Sequence, residues 1–175
     1  MMPATGTVNI PDGQPVELRV NGSEPGAMES GEPWISHPVD LAFLLELPAD
    51  AVEAITLENV VQESLAALTH LRPGLRRLYL AWTGLTDDAL RPIAELSELT
   101  YFQSWGNAFT DAGVQQLVRL QSLDHLYLEE QTLTVAAFAF ASQLPRLARL
   151  GTMDVPLSGA DLEVLRRQLP GVDVG

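Results

Sequence analysis

The chain has 175 residues, 46% of them hydrophobic, which suits one domain with a packed core and argues against a disordered polymer. It contains neither cysteine nor lysine, all ten cations being arginine, so disulfides, thiolate chemistry, cysteine-ligated metals and lysine Schiff bases are excluded. A formal charge of −13 opposes binding to nucleic-acid phosphates, and no apolar run reaches membrane-spanning length.

The acidity is concentrated at the start. Residues 1–50 hold eight acids against Arg19, a balance of −7, which leaves −6 for the other 125 residues. The opening MMPATGTVNIPDG has neither a basic nor an apolar leader region, so a cytoplasmic protein is expected. TVNIPDGQPVELRV (7–20) predicts two short strands around a Pro-Asp-Gly turn, Val8 and Ile10 matching Val16, Leu18 and Val20. The glycine- and acid-rich stretch 21–33 predicts a solvated loop, with a docking element as the less favoured reading. Ser36 and Pro38 mark a helix start, with Leu41, Phe43, Leu44, Leu45 and Leu47 as its apolar residues and Pro48 as its stop. Residues 1–50 are therefore expected to cap a repeat domain over 51–175.

From Leu75 the chain repeats with a period of 24 residues, in copies starting at 75, 99, 123 and 147. Apolar or small residues recur at places 1, 4, 6, 11, 16, 19 and 22, which in the first copy are Leu75, Leu78, Leu80, Leu85, Leu90, Ile93 and Leu96. An earlier copy, one residue shorter, runs from Val52 to Leu71 and is closed by Arg72-Pro73-Gly74. At the far end Val172 and Val174 predict a last short strand. The first part of each copy alternates as a strand does, and the second spaces its apolar residues as a helix face does. Between the two lie Thr86, Thr110, Thr134 and Ser158, expected to cap the helices, with Asp87, Asp88 and Asp111 favoured by the helix dipole. Ser158 to Asp161 has the form of a capping box.

LxxLxLxxTxLTDxxL, as at 75–90, resembles the leucine-rich repeat of the 24-residue variety, and the similarity extends over about residues 52–174. The resemblance implies an α/β fold: a right-handed solenoid with parallel strands, about five here, lining a concave face and helices on the convex side. Place 9, often asparagine in the family, is Asn107 in one copy and Thr83, Gln131 and Val155 in the others, so the buried amide ladder should be partial.

Side chains flanking the buried leucines should face the concave surface, which places 3, 5, 7 and 8 of each copy there. All three tyrosines and two of the three tryptophans fall on those positions. The candidate docking residues are Arg77, Tyr79, Trp82, Tyr101, Gln103, Trp105, His125, Tyr127, Glu129, Glu130, Arg149, Met153 and Asp154. Rigid aromatic rings concentrated on one surface are the residue types of interface hot spots. The expected function is a scaffold or adaptor that binds a protein presenting an apolar knob beside a basic group. The alternative is an acidic inhibitor, of antitoxin or immunity type, covering a basic enzyme, whose affinity would fall steeply with salt.

Chemistry is less well served. His125 with Glu129, Glu130 and Asp154 is the one histidine–carboxylate grouping the repeat brings together, and a single nitrogen ligand without a closed pocket reads as solvated rim. His37 and His70 lie near a helix start and a helix end. There is no GxSxG elbow, GxGxxG or phosphate loop, so neither an enzyme, a cofactor nor a metal site is expected.

Overall fold

The computed structural model describes residues 15–21 and 38–175. Seven strands form one all-parallel sheet in chain order: β1 (Val16–Asn21), β2 (Val52–Glu58), β3 (Arg77–Ala81), β4 (Tyr101–Trp105), β5 (His125–Glu129), β6 (Arg149–Gly151) and β7 (Asp173–Val174). The register follows the sequence beat. Arg77, Tyr101, His125 and Arg149 are successive partners across β3 to β6, as are Leu78, Phe102, Leu126 and Leu150. Alternation sends Leu78, Leu80, Phe102, Leu126 and Leu128 into a core shared by all copies. A fully buried large side chain contributes roughly 1.5–3 kcal/mol, and no single copy could cover its own.

The sheet exceeds the expected five strands; β7 is the last short strand anticipated at Val172 and Val174, whereas at the other end β1 joins the sheet unexpectedly. β1 pairs in parallel with β2, Leu18 opposite Ile55, so the second strand of the anticipated hairpin is the first strand of the solenoid's sheet. Its anticipated partner, at residues 7–10, lies outside the described residues, as do Ser36, His37 and most of the acidic loop. The anticipated helix after Pro38 starts late. Val39 is drawn into a parallel bridge with Val60, and one short helical segment, Leu41–Glu46, follows, with Asp40 Oδ1 accepting from Ala42 N at 2.9 Å. Leu41 and Leu44 are sealed in the core while Leu45 stays exposed. His70 ties this segment to the repeats through Nε2 and the Leu47 carbonyl, 2.8 Å apart.

The convex side is mostly 3₁₀-helix, at Gln62–Leu71, Asp87–Ala89, Gly113–Arg119 and Val135–Gln143, with one α-turn at Leu90–Ile93. The spacing explains it. In the 3₁₀ segments one set of buried residues recurs in threes, as Leu65/Leu68/Leu71, Val114/Leu117/Leu120 and Phe138/Ala141/Leu144, while Leu90/Ile93/Leu96 keeps the spacing across the α-turn. In a 3₁₀-helix residues three apart eclipse, so that spacing makes one straight stripe. The last copy breaks the rule, with Gln168 at place 22 and Leu169 buried instead, beyond Leu165. There the segment is a full α-helix, Gly159–Gln168, opened by the expected capping box of Ser158 and Asp161.

The acids after each turn do something the linear sequence conceals. Asp87 accepts from the backbone N–H and hydroxyl of Thr110 at 2.9 and 2.6 Å, and Asp111 does the same for Thr134. Gln62 plays the part for Thr86, whose hydroxyl makes no capping bond, whereas those of Thr110 and Thr134 also accept from Gly113 N and Ala136 N at 3.1 and 3.3 Å as expected of caps. The first four copies are thus latched in succession; at the last junction Val135 stands in the acid's place and Ser158 bonds Asp161 of its own copy. Gly113 leaves the room for the Asp87 latch, since a Cβ there would meet Asp87 Oδ1 at 1.9 Å. Asp87→Ala should lower stability by about 1 kcal/mol. Gly113→Ala should do similar damage, and the double variant little more than either, as read from thermal melts; strict additivity would contradict the latch.

Candidate functional site

Three tyrosines form a continuous stack across β3 to β5. Tyr101 lies between Tyr79 and Tyr127, with ring centroids 4.9 and 5.3 Å away. His125, the register partner of Tyr101, stacks against Tyr101 and Tyr127 at 5.9 and 6.5 Å. All four rings are half-buried. Tyr127 leans over Gly151, where a Cβ would come within 2.2 Å of its ring.

A second aromatic group lies downstream along the strands. Trp82 and Trp105 have ring centroids 5.0 Å apart, inclined by 39°. Place 8 is left-handed in every copy: Asn59, Trp82, Gly106, Glu130 and Asp154 have φ between 43° and 63°. This bend lets places 7 and 8 share one side, where unbroken alternation would oppose them. The backbone ladder continues through it, Trp82 N donating to Trp105 O at 2.9 Å and Glu130 N to Met153 O at 3.0 Å. Glycine suits such a position, whereas a bulky aromatic at φ 43° is strained. At Gly106 the missing side chain matters twice, because φ is 63° and a Cβ would strike the Trp82 indole at 2.4 Å. Trp82 lies across that glycine and remains 62% exposed.

Polar groups join the two clusters. Tyr101 donates its hydroxyl to Gln103 Oε1 at 3.0 Å, and Gln103 Nε2 donates to Glu129 Oε2 at 2.7 Å. Trp82 Nε1 donates weakly to Glu130 Oε2 at 3.4 Å. Glu129 is not a rim residue: it is 6% exposed, the register partner of Trp105, with its carboxylate held by Gln103. Met153, Glu130 and Asp154 are exposed beyond it. The buried Trp105 Nε1 has no hydrogen-bond acceptor among the described residues.

Charge is divided along the strands. At the upstream end Arg77 pairs with Glu53 at 3.5 Å and Arg149 with Asp173 at 3.6 Å. At the downstream end Glu129, Glu130 and Asp154 form no ion pair among the described residues. His125 Nδ1 bonds Asp124 Oδ1 at 2.6 Å, and so is turned toward its chain neighbour and away from the glutamates it was grouped with. No group of three or more metal-ligating side chains converges among the described residues.

Burial, then the neighbouring tyrosines and Glu129, push the Tyr101 hydroxyl up to about 12, against an ordinary 10.0, with Arg149 acting in the opposite sense. The neutral phenol is favoured by the fold. Stability from this group is therefore complete below pH 10 and lost as pH rises toward 12, where the unfolded chain has already released the proton. An ultraviolet titration should show a late tyrosine step near pH 12 that Tyr101→Phe removes; a titration of the variant that keeps this step would contradict the assignment.

Behind the site, Asn107 organises the turns. Its Oδ1 accepts from Leu85 N at 3.1 Å and Thr83 Oγ1 at 2.6 Å, and its Nδ2 donates to Ser104 Oγ at 2.9 Å and Trp105 O at 3.3 Å. Gln131 Nε2 reaches the same serine at 3.2 Å. The amide ladder has these two rungs, with Ser104, where most copies have leucine, joining them.

Several solved structures share the architecture. An internalin of Listeria monocytogenes (inlF) is 21% identical, over 77% of this chain and 37% of its own length, with a TM-score of 0.56. Internalin C2 of the same organism is 21% identical over 78% of this chain and 55% of its own, with a TM-score of 0.60. The repeating sheet and these likenesses agree. The chain has the leucine-rich-repeat fold. A leucine-rich-repeat protein of Leptospira interrogans is a further neighbour, 22% identical over 72% of this chain and 31% of its own, with a TM-score of 0.53. The solenoid thus spans between 31% and 55% of the length of these neighbours. No protein-family model matches the sequence, and a search of curated proteins also finds no match. No helix among the described residues is long and apolar enough to cross a membrane.

Sequence reasoning passed over Gly106, Gly151, Ser104 and Asn107 as parts of the site. The signal for the glycines was present: each stands 24 residues after the large ring it accommodates, Trp82 or Tyr127.

Proposed function

We propose that this leucine-rich-repeat solenoid is a non-catalytic interaction module, a cytoplasmic scaffold or adaptor that binds a protein partner through its aromatic concave face. The carrying observation is the unbroken run of half-exposed rings, Tyr79, Tyr101, Tyr127 and His125, beside the Trp82–Trp105 pair. Rings of this kind offer large contact area at small entropic loss, and their mutual stacking fixes them before a partner arrives. Strands about 4.8 Å apart give β3 to β6 a width of roughly 15 Å, the scale of one protein patch or a short peptide.

Competition tests the reading. With the immobilised chain as bait in an extract of its native cells, free wild-type protein should displace the retained partner and free Tyr79→Ala/Tyr127→Ala protein should not. Equal displacement by both would overturn it. A partner whose retention disappears at moderately raised salt would instead favour the acidic-inhibitor reading.

A further inference from the structure

We infer that the downstream row of the face is a receptor for an arginine side chain of the partner, the guanidinium lying against Trp82 and Trp105 and donating to Glu129 and Glu130. The inference rests on the docking reading above and names the chemistry that one part of that surface recognises.

Three independent features converge there. The first is a ring held out at a conformational disadvantage: Trp82 is 62% exposed at a left-handed backbone position where asparagine, glycine, glutamate and aspartate stand in the other copies, and it is the one aromatic, the bulkiest side chain, among them. Strain retained at an exposed aromatic is a pointer to a role outside folding. The second is an indole pair with centroids 5.0 Å apart, inclined by 39°, which offers a cation the π-surface it binds best. The third is charge. Glu129 is nine-tenths buried, one of its oxygens is taken by an amide, and no cation meets it; Glu130 is hydrogen-bonded to the edge of the Trp82 indole. Asp154 continues the row, while Arg77 and Arg149 are paired at the opposite end of the strands.

This arrangement discriminates among occupants. A neutral aromatic knob would fill the indole surface and leave the carboxylates uncompensated. An ammonium is a compact, strongly hydrated charge that cannot lie flat on a ring and fork to carboxylates together. A guanidinium is planar, weakly hydrated and able to do both.

The test uses random dodecapeptides displayed on phage, selected on the immobilised full-length chain, the enriched peptides then being synthesised. Their binding should fall at least tenfold when arginine is replaced by lysine or citrulline, and equally on Trp82→Gly or Glu129→Gln protein. Trp82→Gly should melt close to the wild type, because relief of the left-handed position offsets the lost stacking on Trp105, so lost binding there is not lost folding. Enriched peptides without arginine, or lysine versions that bind as well, would overturn the inference. Where such peptides still fail on Tyr79→Ala/Tyr127→Ala protein, the docking face stands and only the arginine receptor falls. No enrichment, or binding indifferent to all of these variants, would remove both.

Discussion

Alanine at both Tyr79 and Tyr127 should weaken partner binding by about 3 kcal/mol or more, at least a hundredfold, with the fold intact. Each ring flanks Tyr101, so the double variant removes two contact surfaces and frees the ring between them to move. Neither belongs to the buried core, whose leucines lie on the other side of the same strands. Folding should lose only the stacking of the rings, about 1 kcal/mol for each pair. Titration calorimetry against the captured partner, with melting of both proteins, separates the two effects. A folded double variant that binds with undiminished affinity would reject the docking face.

The second large effect is structural and sits directly behind the site. Asn107→Ala should lower stability by about 2–4 kcal/mol, which for a domain of this size is a fall in Tm on the order of 10 °C. The substitution leaves the buried Leu85 N–H without an acceptor, reduces the Ser104 hydroxyl to its contact with Gln131, and releases the turn that carries Trp105 and Gly106. Unpaired buried polar groups cost more than the bonds they lose, which is why a residue of such modest size matters so much. Gln131→Ala breaks only the contacts to Ser104 and should cost less. Chemical denaturation of the three proteins orders them, and an Asn107→Ala protein as stable as the wild type would contradict this account of the turns.

What could be read from the linear chain was whatever obeys the 24-residue beat. Leu78, Phe102, Leu126 and Leu150 are register partners because one spacing, applied repeatedly, must bring equivalent residues side by side. The tyrosine stack follows from the same arithmetic. Even the 3₁₀ character of the convex side was present in the threefold spacing of Leu65, Leu68 and Leu71, although strands and α-helices are the more familiar periods. What stayed hidden breaks the beat or crosses it. β1 lies 37 residues from its partner in β2, so its alternation reads equally well as half of a hairpin. The left-handed bend at place 8 is occupied by residues as unlike as Trp82, Gly106 and Glu130, which share a conformation without sharing a chemistry. Asp87 looks like a helix-dipole residue because its own helix is adjacent in sequence, while its actual partner, Thr110, is one copy away. Glu129 reads as a solvated acid until the strand beside it supplies Gln103.

Because every tyrosine in the chain lies on the proposed surface, fluorine labelling of tyrosine reports on that surface and on nothing else. With 3-fluorotyrosine incorporated, the ¹⁹F spectrum of the full-length protein should contain three resonances, all of which shift or broaden when the captured partner is added. A complex that forms while all three resonances keep their positions and widths would contradict the claim that partners dock on the concave aromatic face.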